Sequence, residues 1–507
     1  MTAIFDEGAP PSCIAPFNLA AYVLGRAEEL GDKIALAVIR PGGAERWSYA
    51  RLEAAVRGTA TGLLAAGLEP GDRVLLRLGN TVDFPVAYLG AITAGLIPVP
   101  TSAQLTVPEV TKIVEMISPR LVIAGDGIAL PQGDVPVLTQ QALEKMRDLP
   151  PAPYAMGDPD RPAYMLFTSG TSGIPRAVVH AHRAIWARRM MWDDWYGLTD
   201  TDRVLHAGAF NWSYTLGTGL MDPWTVGATA LIPEARVTPD QLPLLLKRYD
   251  ATIFAAAPGV YRQMLRTQVP PLPKLRHGLS AGEKLPETTR AAWHEATGTP
   301  VYEAYGMTEC STFVSGAPTR EPPEGASGFP QRGRRVAILT EDDVAGFGEP
   351  GILGVSRRDP GLMLGYFGAE AETEAKFRGE WFLTGDMFLM AEDGALSYLG
   401  RADDMMNAGG FRVSPIEVEG ALNTHPEIIE AAAVEIAVKS DASVIAAFYV
   451  AERDLDEAEL AQFAADLLAR YKCPRLFRRV EALPKGANGK ILRRALRERY
   501  EETHGQA

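Results

Sequence analysis

The sequence predicts an α/β protein: a large N-terminal domain of layered βα sheets with a small β subdomain, then a small α+β C-terminal domain. Three observations carry that reading. Short apolar runs alternate with helical patterns over most of the chain. A stretch punctuated by Gly and Pro follows them. From about residue 401 the pattern changes to a charged turn and a Gly-Gly pair ahead of a new helix.

Taken in order, "RVLLRL" (73–78) reads as a buried strand, "TVDFPVAYLGAITAG" as a helix and "LIPVP" as a strand. The rhythm returns in "PRLVIAGDG", "ATIFAAAPGVYRQML" and "LRHGLSAGEKL". Strands alternating with helices imply crossover connections, hence mostly parallel sheets. "DVAGFGEPGILGVSRRDPGLMLGYFG" sets short strands between Gly/Pro turns and marks the β subdomain. In "RADDMMNAGGFRVSPIEVEGALNTHPEIIEAAAV" the charged turn leads to a helix with Pro in its first turn, where a missing N–H is tolerated. The strand "SVIAAFYVA" and an amphipathic helix over 456–470 complete this part. Residues 1–400 and 401–507 are therefore expected as two domains with a tight junction, since no long linker separates them.

Apolar residues make up 47% of the 507, so a large core is available and wholesale disorder is not expected. A net charge of −13 argues against a nucleic-acid or anionic-membrane partner. The longest apolar run, "FPVAYLGAITAGLIPVP", is interrupted by Pro85, Pro98 and Pro100. It reads as a buried helix followed by a strand, not as a membrane span. Cys13, Cys310 and Cys473 are too far apart in sequence for a disulfide framework or a zinc spacing, which fits a reducing cytoplasm. The opening "MTAIFDEGAPPS" has no basic start and no apolar core, so no secretory leader is expected there. His180 and His182 are two apart, with no Cys or acid beside them. Solvent-facing or capping roles are expected for them rather than metal binding.

The densest chemistry lies in "MLFTSGTSGIPRAVVHAH" (165–182), where six small or hydroxylated residues follow an apolar run. Glycine lets backbone N–H groups approach a ligand, and Ser/Thr hydroxyls add donors. Such a loop suits a phosphate chain. It is not G-x-x-x-x-G-K-[ST], because the second glycine would fall at Pro175. Five more stretches stand out: "SAGEKL" (280–285), "YEAYGMTE" (302–309), "GEWFLTGD" (379–386), "YLGRADD" (398–404) and "LPKGANGKILRRAL" (483–496).

In this order the six stretches resemble the adenylate-forming superfamily of acyl-CoA synthetases, peptide-synthetase adenylation domains and beetle luciferases. The texture is most similar to a carboxylate–CoA ligase of the medium-chain or benzoate type. The resemblance implies ATP, Mg²⁺ and coenzyme A, a large domain that binds ATP and acid, and a mobile C-terminal domain that swings between two half-reactions. It implies that Thr168, Ser169, Gly170, Thr171, Ser172 and Gly173 cradle the β- and γ-phosphates. Arg176 stands where the family usually has Lys; the charge is kept and a planar fork replaces a point charge. Gly282, Glu283 and Lys284 are implied beside the adenine, with Glu303, Ala304 and Tyr305, the last as its stacking partner. Gly306 falls to the acid pocket. Thr308 resembles the phosphate-binding hydroxyl and Glu309 the Mg²⁺ ligand, and magnesium needs only one or two carboxylates besides phosphate and water. Asp386 resembles the ribose-binding acid and Arg401 the arginine that touches ribose and phosphate. Asp403 matches the hinge. Gly410 matches the glycine that faces the site after rotation, whereas Gly409 replaces a larger residue. Lys490 resembles the lysine that bridges the acid's carboxylate and the α-phosphate.

For the acid itself, "AFNWSYTLGTGLMDPW" (209–224) fits the pocket wall. Amino-acid-activating relatives place an Asp where Asn211 stands, and a buried ammonium lacking that partner is costly. Trp212 and Tyr214 offer flat apolar walls, or ordinary core packing. A short or medium aliphatic acid, or a cyclic or aromatic one, is expected. Alternatives stay open: an adenylating enzyme that loads a carrier protein in trans, a luciferase-like oxygenase, or a noncatalytic nucleotide-binding regulator. Oligomeric state is not legible; a homodimer is one expectation.

Overall fold

A computed structural model describes residues 2–168, 175–408, 411–439, 442–486 and 491–504. The largest sheet has nine strands. Its middle, Val301–Met307, His277–Ala281, Ile253–Ala256, Arg203–His206, Thr229–Pro233 and Ile34–Arg40, is parallel throughout. Antiparallel strands Ser311–Ser315 and Gly43–Ser48 flank it. A second sheet of four parallel strands joins Ile97–Pro100, Arg73–Arg77, Leu121–Ala124 and Val137–Thr139. The expected βα rhythm is thus present at each quoted stretch.

Strands buried on both faces read as near-continuous apolar runs, as Ile253–Ala256 does with all four residues buried. The helix Asp83–Thr93 is buried on every side, the pattern of a core helix. Its Pro85 lies in the first turn, where no intrahelical N–H bond is lost. Among the described residues no helix is long and apolar enough to cross a membrane.

The Gly/Pro segment forms part of a six-stranded antiparallel sheet. Gly351–Ser356 pairs there with Arg335–Leu339 and with the long strand Trp381–Met390, which also pairs with Leu396–Arg401. A third unit is the antiparallel hairpin Pro162–Thr168 and Arg176–Ala181. Beyond Arg401 come the helix Pro415–Leu422, the antiparallel pair Glu430–Lys439 and Ala442–Val450, and the helix Glu457–Leu467. Leu476–Arg479 adds a parallel strand. This part has its own apolar core around Val418, Leu422, Ala447 and Leu460.

Both strand-neighbouring histidines are buried, correcting the solvent-facing expectation. His182 Nδ1 accepts from the Leu19 N–H at 3.0 Å. His180 Nε2 lies 2.8 Å from the Thr308 carbonyl. Each answers a backbone group that burial would otherwise leave unpaired.

Candidate active site

The ends of parallel strands open into a cavity of about 1030 Å³, to which His277–Ala281 contributes Ala281 and Val301–Met307 contributes Tyr305, Gly306 and Met307. Ligands in open α/β sheets bind at such carboxyl ends.

On one wall, Thr168 and Arg176 are Cα partners at the end of the Pro162–Thr168 hairpin. The ladder therefore fixes both ends of the segment between them. Ser169, Gly170, Thr171, Ser172 and Gly173 lie outside the described residues. Arg176 is gripped by Glu372 of the short helix Glu370–Glu374, through Nε at 2.6 Å and Nη2 at 2.9 Å. This two-point geometry needs a planar fork, which a lysine could not supply.

Thr308 and Glu309 follow the strand Val301–Met307. Contacts from outside the strand hold them, among them the Met363 N–H on the Glu309 carbonyl at 2.7 Å. A carbonyl only accepts, so the bond to Thr308 puts the His180 proton on Nε2. Burial pulls the His180 pKa down to about 4, so the ring is neutral at pH 7. Glu309 is buried, and its Oε1 accepts from the Tyr366 hydroxyl at 2.8 Å. Glu309 lines the cavity beside Thr308. One carboxylate with room for phosphate oxygens and waters fits Mg²⁺.

Another part of the wall comes from the antiparallel sheet. Asp386 and Arg401 are Cα partners there. The Tyr305 hydroxyl donates to Asp386 Oδ2 at 2.5 Å. Burial, reinforced by the Asp386 charge, pushes the Tyr305 pKa well up, so the phenol remains a donor. Its ring packs edge-on against Phe313 and Phe388. Arg401 Nε donates to Asp403 Oδ1 at 2.8 Å. Burial opposes the Arg401 charge, but Asp403 and Asp386 outweigh it and the pKa rises.

Between the walls, Gly282 has φ +98°, and a Cβ there would sit 2.8 Å from the Trp212 ring. Glycine is required on both counts. Glu303 is buried and ties this loop down: Oε1 accepts from the Leu285 N–H at 3.2 Å and Oε2 from Arg290 at 3.2 Å. Burial raises the Glu303 pKa. Ala304 is buried beside it. Lys284 donates to the Gly325 carbonyl at 3.1 Å, and Glu283 lines the cavity.

Asn211, Trp212 and Tyr214 line the same cavity. Tyr214 is buried, donates to the Leu279 carbonyl at 3.0 Å and meets Trp212 edge to face at 5.1 Å. Tyr214 thus borders the cavity and packs in the core at once. Gly410 and Lys490 lie outside the described residues, as does Gly409. Ile491 and Arg493, just beyond Lys490, line the cavity. Arg493 donates to Glu419 at 2.7 and 2.9 Å.

Sequence reasoning missed Arg188, Thr218, Ser311, Tyr366 and Glu372, all of which line the cavity. For Arg188 a signal existed. Asp222 interrupts the apolar run "GLMDPW", and an acid buried there needs a buried cation.

The profile of the AMP-binding enzyme family matches residues 25–367, and that of the AMP-binding enzyme C-terminal domain matches 417–490. The 3-hydroxybenzoate–CoA ligase of Aromatoleum sp. (strain CIB) is 30% identical, over 97% of this chain and 98% of its own. The benzoate–CoA ligase of Thauera aromatica is 31% identical with the same coverage. Among solved structures, a benzoate CoA ligase from Burkholderia xenovorans LB400 superposes with a TM-score of 0.85 at 31% identity, covering 95% of this chain and 100% of that one. An anthranilate CoA ligase in complex with anthranoyl-AMP superposes with a TM-score of 0.87 at 25% identity, covering 96% and 98%. The chain belongs to the AMP-binding enzyme family. Within it, the protein is an acyl-CoA synthetase of the benzoate type, an AMP-forming enzyme whose substrates are ATP, coenzyme A and a small carboxylic acid.

Proposed function

We propose that the protein activates an aromatic carboxylic acid as its acyl-adenylate and transfers the acyl group to coenzyme A. In the first half-reaction a carboxylate oxygen attacks the α-phosphorus of ATP, and pyrophosphate leaves. In the second the CoA thiol, losing its proton, attacks the acyl carbonyl, and AMP leaves. Both partners of the first step are anions, so fixed donors and cations aimed at the developing charge supply most of the acceleration. The observation that carries the reading is the convergence on one cavity of Thr168, Arg176, Thr308, Glu309, Asp386 and Arg401.

In this reading Thr168, Ser169, Gly170, Thr171, Ser172 and Gly173 bind the β- and γ-phosphates, with Arg176 adding positive charge. Asp386, aimed by Tyr305, accepts from the ribose hydroxyls, and Arg401 faces the sugar and phosphate. Gly282, Glu283, Lys284, Glu303 and Ala304 flank the base. Glu309, steadied by Tyr366, would hold Mg²⁺, which would supply positive charge beside the phosphates. Gly306, Asn211, Trp212 and Tyr214 border the acid. Lys490 bridges the acid's carboxylate and the α-phosphate, and Asp403 is the pivot on which residues 401–507 turn to admit CoA past Gly410.

The aromatic class is supported by the flat walls of Trp212 and Tyr214 and by the substrates named for the relatives. The test is pyrophosphate release from ATP and Mg²⁺ with a panel of benzoates, with and without CoA. CoA-dependent turnover is expected. Pyrophosphate exchange that CoA cannot carry forward would instead favour loading of a carrier protein. Lys490→Ala is expected to abolish adenylate formation, yet largely spare thioester formation from synthetic benzoyl-adenylate. Equal loss of both half-reactions would remove Lys490 from its role.

A further inference from the structure

In the wall of the same cavity, with Thr218 and Asp222 on the chain just after Tyr214, lies a polar cluster that the reaction above does not use. Arg188 is 5% exposed and Asp222 is 1% exposed. Arg188 donates to Asp222 through Nε at 2.9 Å and Nη2 at 2.5 Å. Nη2 also reaches the Tyr196 hydroxyl at 3.0 Å and Thr218 Oγ1 at 3.3 Å, and Nη1 donates to Ser311 Oγ. The Tyr196 hydroxyl donates to Asp222 Oδ2 at 2.7 Å. Gly217 is shaped to this guanidinium: a Cβ there would fall 2.2 Å from its carbon. Arg188, Thr218 and Ser311 face the cavity, along with Thr312.

A buried ion pair is a poor way to gain stability, because desolvation offsets the attraction. An apolar acid would gain nothing from it either. The cluster does make one selective demand. Nη1 carries two N–H groups, and Ser311 Oγ takes one, leaving a second for an incoming acceptor. Asp222 is already engaged by Arg188 and Tyr196, so it is not offered to a cationic substituent. It also neutralises Arg188, so a second carboxylate would arrive without a counter-charge.

We infer that Arg188, held by Asp222, together with Ser311 and Thr218, forms a specificity site for a neutral hydrogen-bond-accepting substituent, a hydroxyl on the acid's ring. The inference rests on the aromatic acid–CoA ligase reading above. Binding a hydroxyl satisfies the donors, whereas an apolar group of equal size buries them unpaired, and sites built this way reject the unmatched analogue strongly.

The test compares kcat/KM for benzoate, the three monohydroxybenzoates, the three methylbenzoates and a benzene dicarboxylate. At least one hydroxybenzoate is expected to exceed the methylbenzoate of the same geometry by roughly tenfold or more. Ser311→Ala keeps the ion pair and is expected to cut that ratio by about threefold or more. The double variant Arg188→Met/Asp222→Leu removes both charges together, avoiding an unpaired buried acid, and is expected to bring the ratio to about one. Equal kcat/KM for hydroxyl and methyl isomers in the unaltered enzyme would overturn the inference. So would a preference for the dicarboxylate, or a ratio that neither variant moves. Turnover of the panel without hydroxyl preference overturns this inference alone; absence of pyrophosphate release with every acid overturns the ligase reading and this inference together.

Discussion

At the level of single side chains, the cavity is organised by contacts that aim one functional group with another. Tyr305 is the clearest case, since its hydroxyl fixes one oxygen of Asp386. Tyr305→Phe removes that donor and keeps the ring. It is expected to raise KM for ATP by roughly threefold to tenfold, about the net value of one ordinary hydrogen bond, with a smaller change in KM for the acid, as steady-state kinetics would show. Buried histidines set a pH limit. Burial holds His180 near 4, His277 near 4 and His206 near 3, against about 6.5 when unfolded. The unfolded chain therefore binds more protons than the folded one between these values. Stability must fall as pH drops from about 6.5, by ~2 kcal/mol at pH 5 for His180 alone. Urea midpoints measured at pH 7.5 and 5 should fall accordingly; an unchanged midpoint would contradict neutral burial of these rings.

Elements come next, and here backbone geometry decides more than charge. The strand Val301–Met307 turns back on Ser311–Ser315, and the register shifts between Tyr305 and Gly306. At Gly306 a Cβ would lie 2.2 Å from the Ser311 carbonyl oxygen, a contact no rotamer relieves. Gly306→Ala is expected to displace Thr308 and Glu309 along with the turn. It should lower the thermal midpoint and reduce pyrophosphate release together. Gly282→Ala meets both a positive φ and the Trp212 ring. A loss of about 1–3 kcal/mol is expected from the strain, read as a lower urea midpoint. Spacing made much of this legible. Short apolar runs marked Arg73–Arg77, Ile253–Ala256 and His277–Ala281 because each is buried on both faces. The helix expected over 456–470 is Glu457–Leu467, shorter at its end because amphipathic pattern alone does not say where the last turn stops.

For the whole molecule, the proposed mechanism asks residues 401–507 to turn against the rest. Arg262 of the helix Pro258–Met264 meets Glu430 of the strand Glu430–Lys439 at 3.1 Å, and Lys485 meets the same carboxylate at 2.7 Å. Partly exposed pairs contribute little, so this contact would oppose separation of the two parts only weakly. Asp403 lies between Arg401, paired to Asp386 across the sheet, and the C-terminal core. Proline fixes φ, so Asp403→Pro is expected to trap one arrangement. One half-reaction should survive while the other falls by at least about a hundredfold, measured separately with ATP plus acid and with synthetic adenylate plus CoA. Parallel retention of both would mean that the pivot lies elsewhere.

The sequence by itself determined the layered α/β architecture and the order of the motif stretches, because periodicity and glycine placement act locally along the chain; the class of reaction came from the family those stretches resemble. The family resemblance of short stretches also singled out Thr168, Arg176, Glu309, Asp386 and Arg401, which line one cavity in the structure. Only the tertiary structure decided what those residues touch. That Arg176 is held by Glu372, Glu309 by Tyr366 and Asp386 by Tyr305 depends on chain crossings 196, 57 and 81 residues apart. The Arg188–Asp222 cluster belongs to the same class. A buried charge reveals its purpose through the partner that folding brings to it, and no local pattern records which partner that will be.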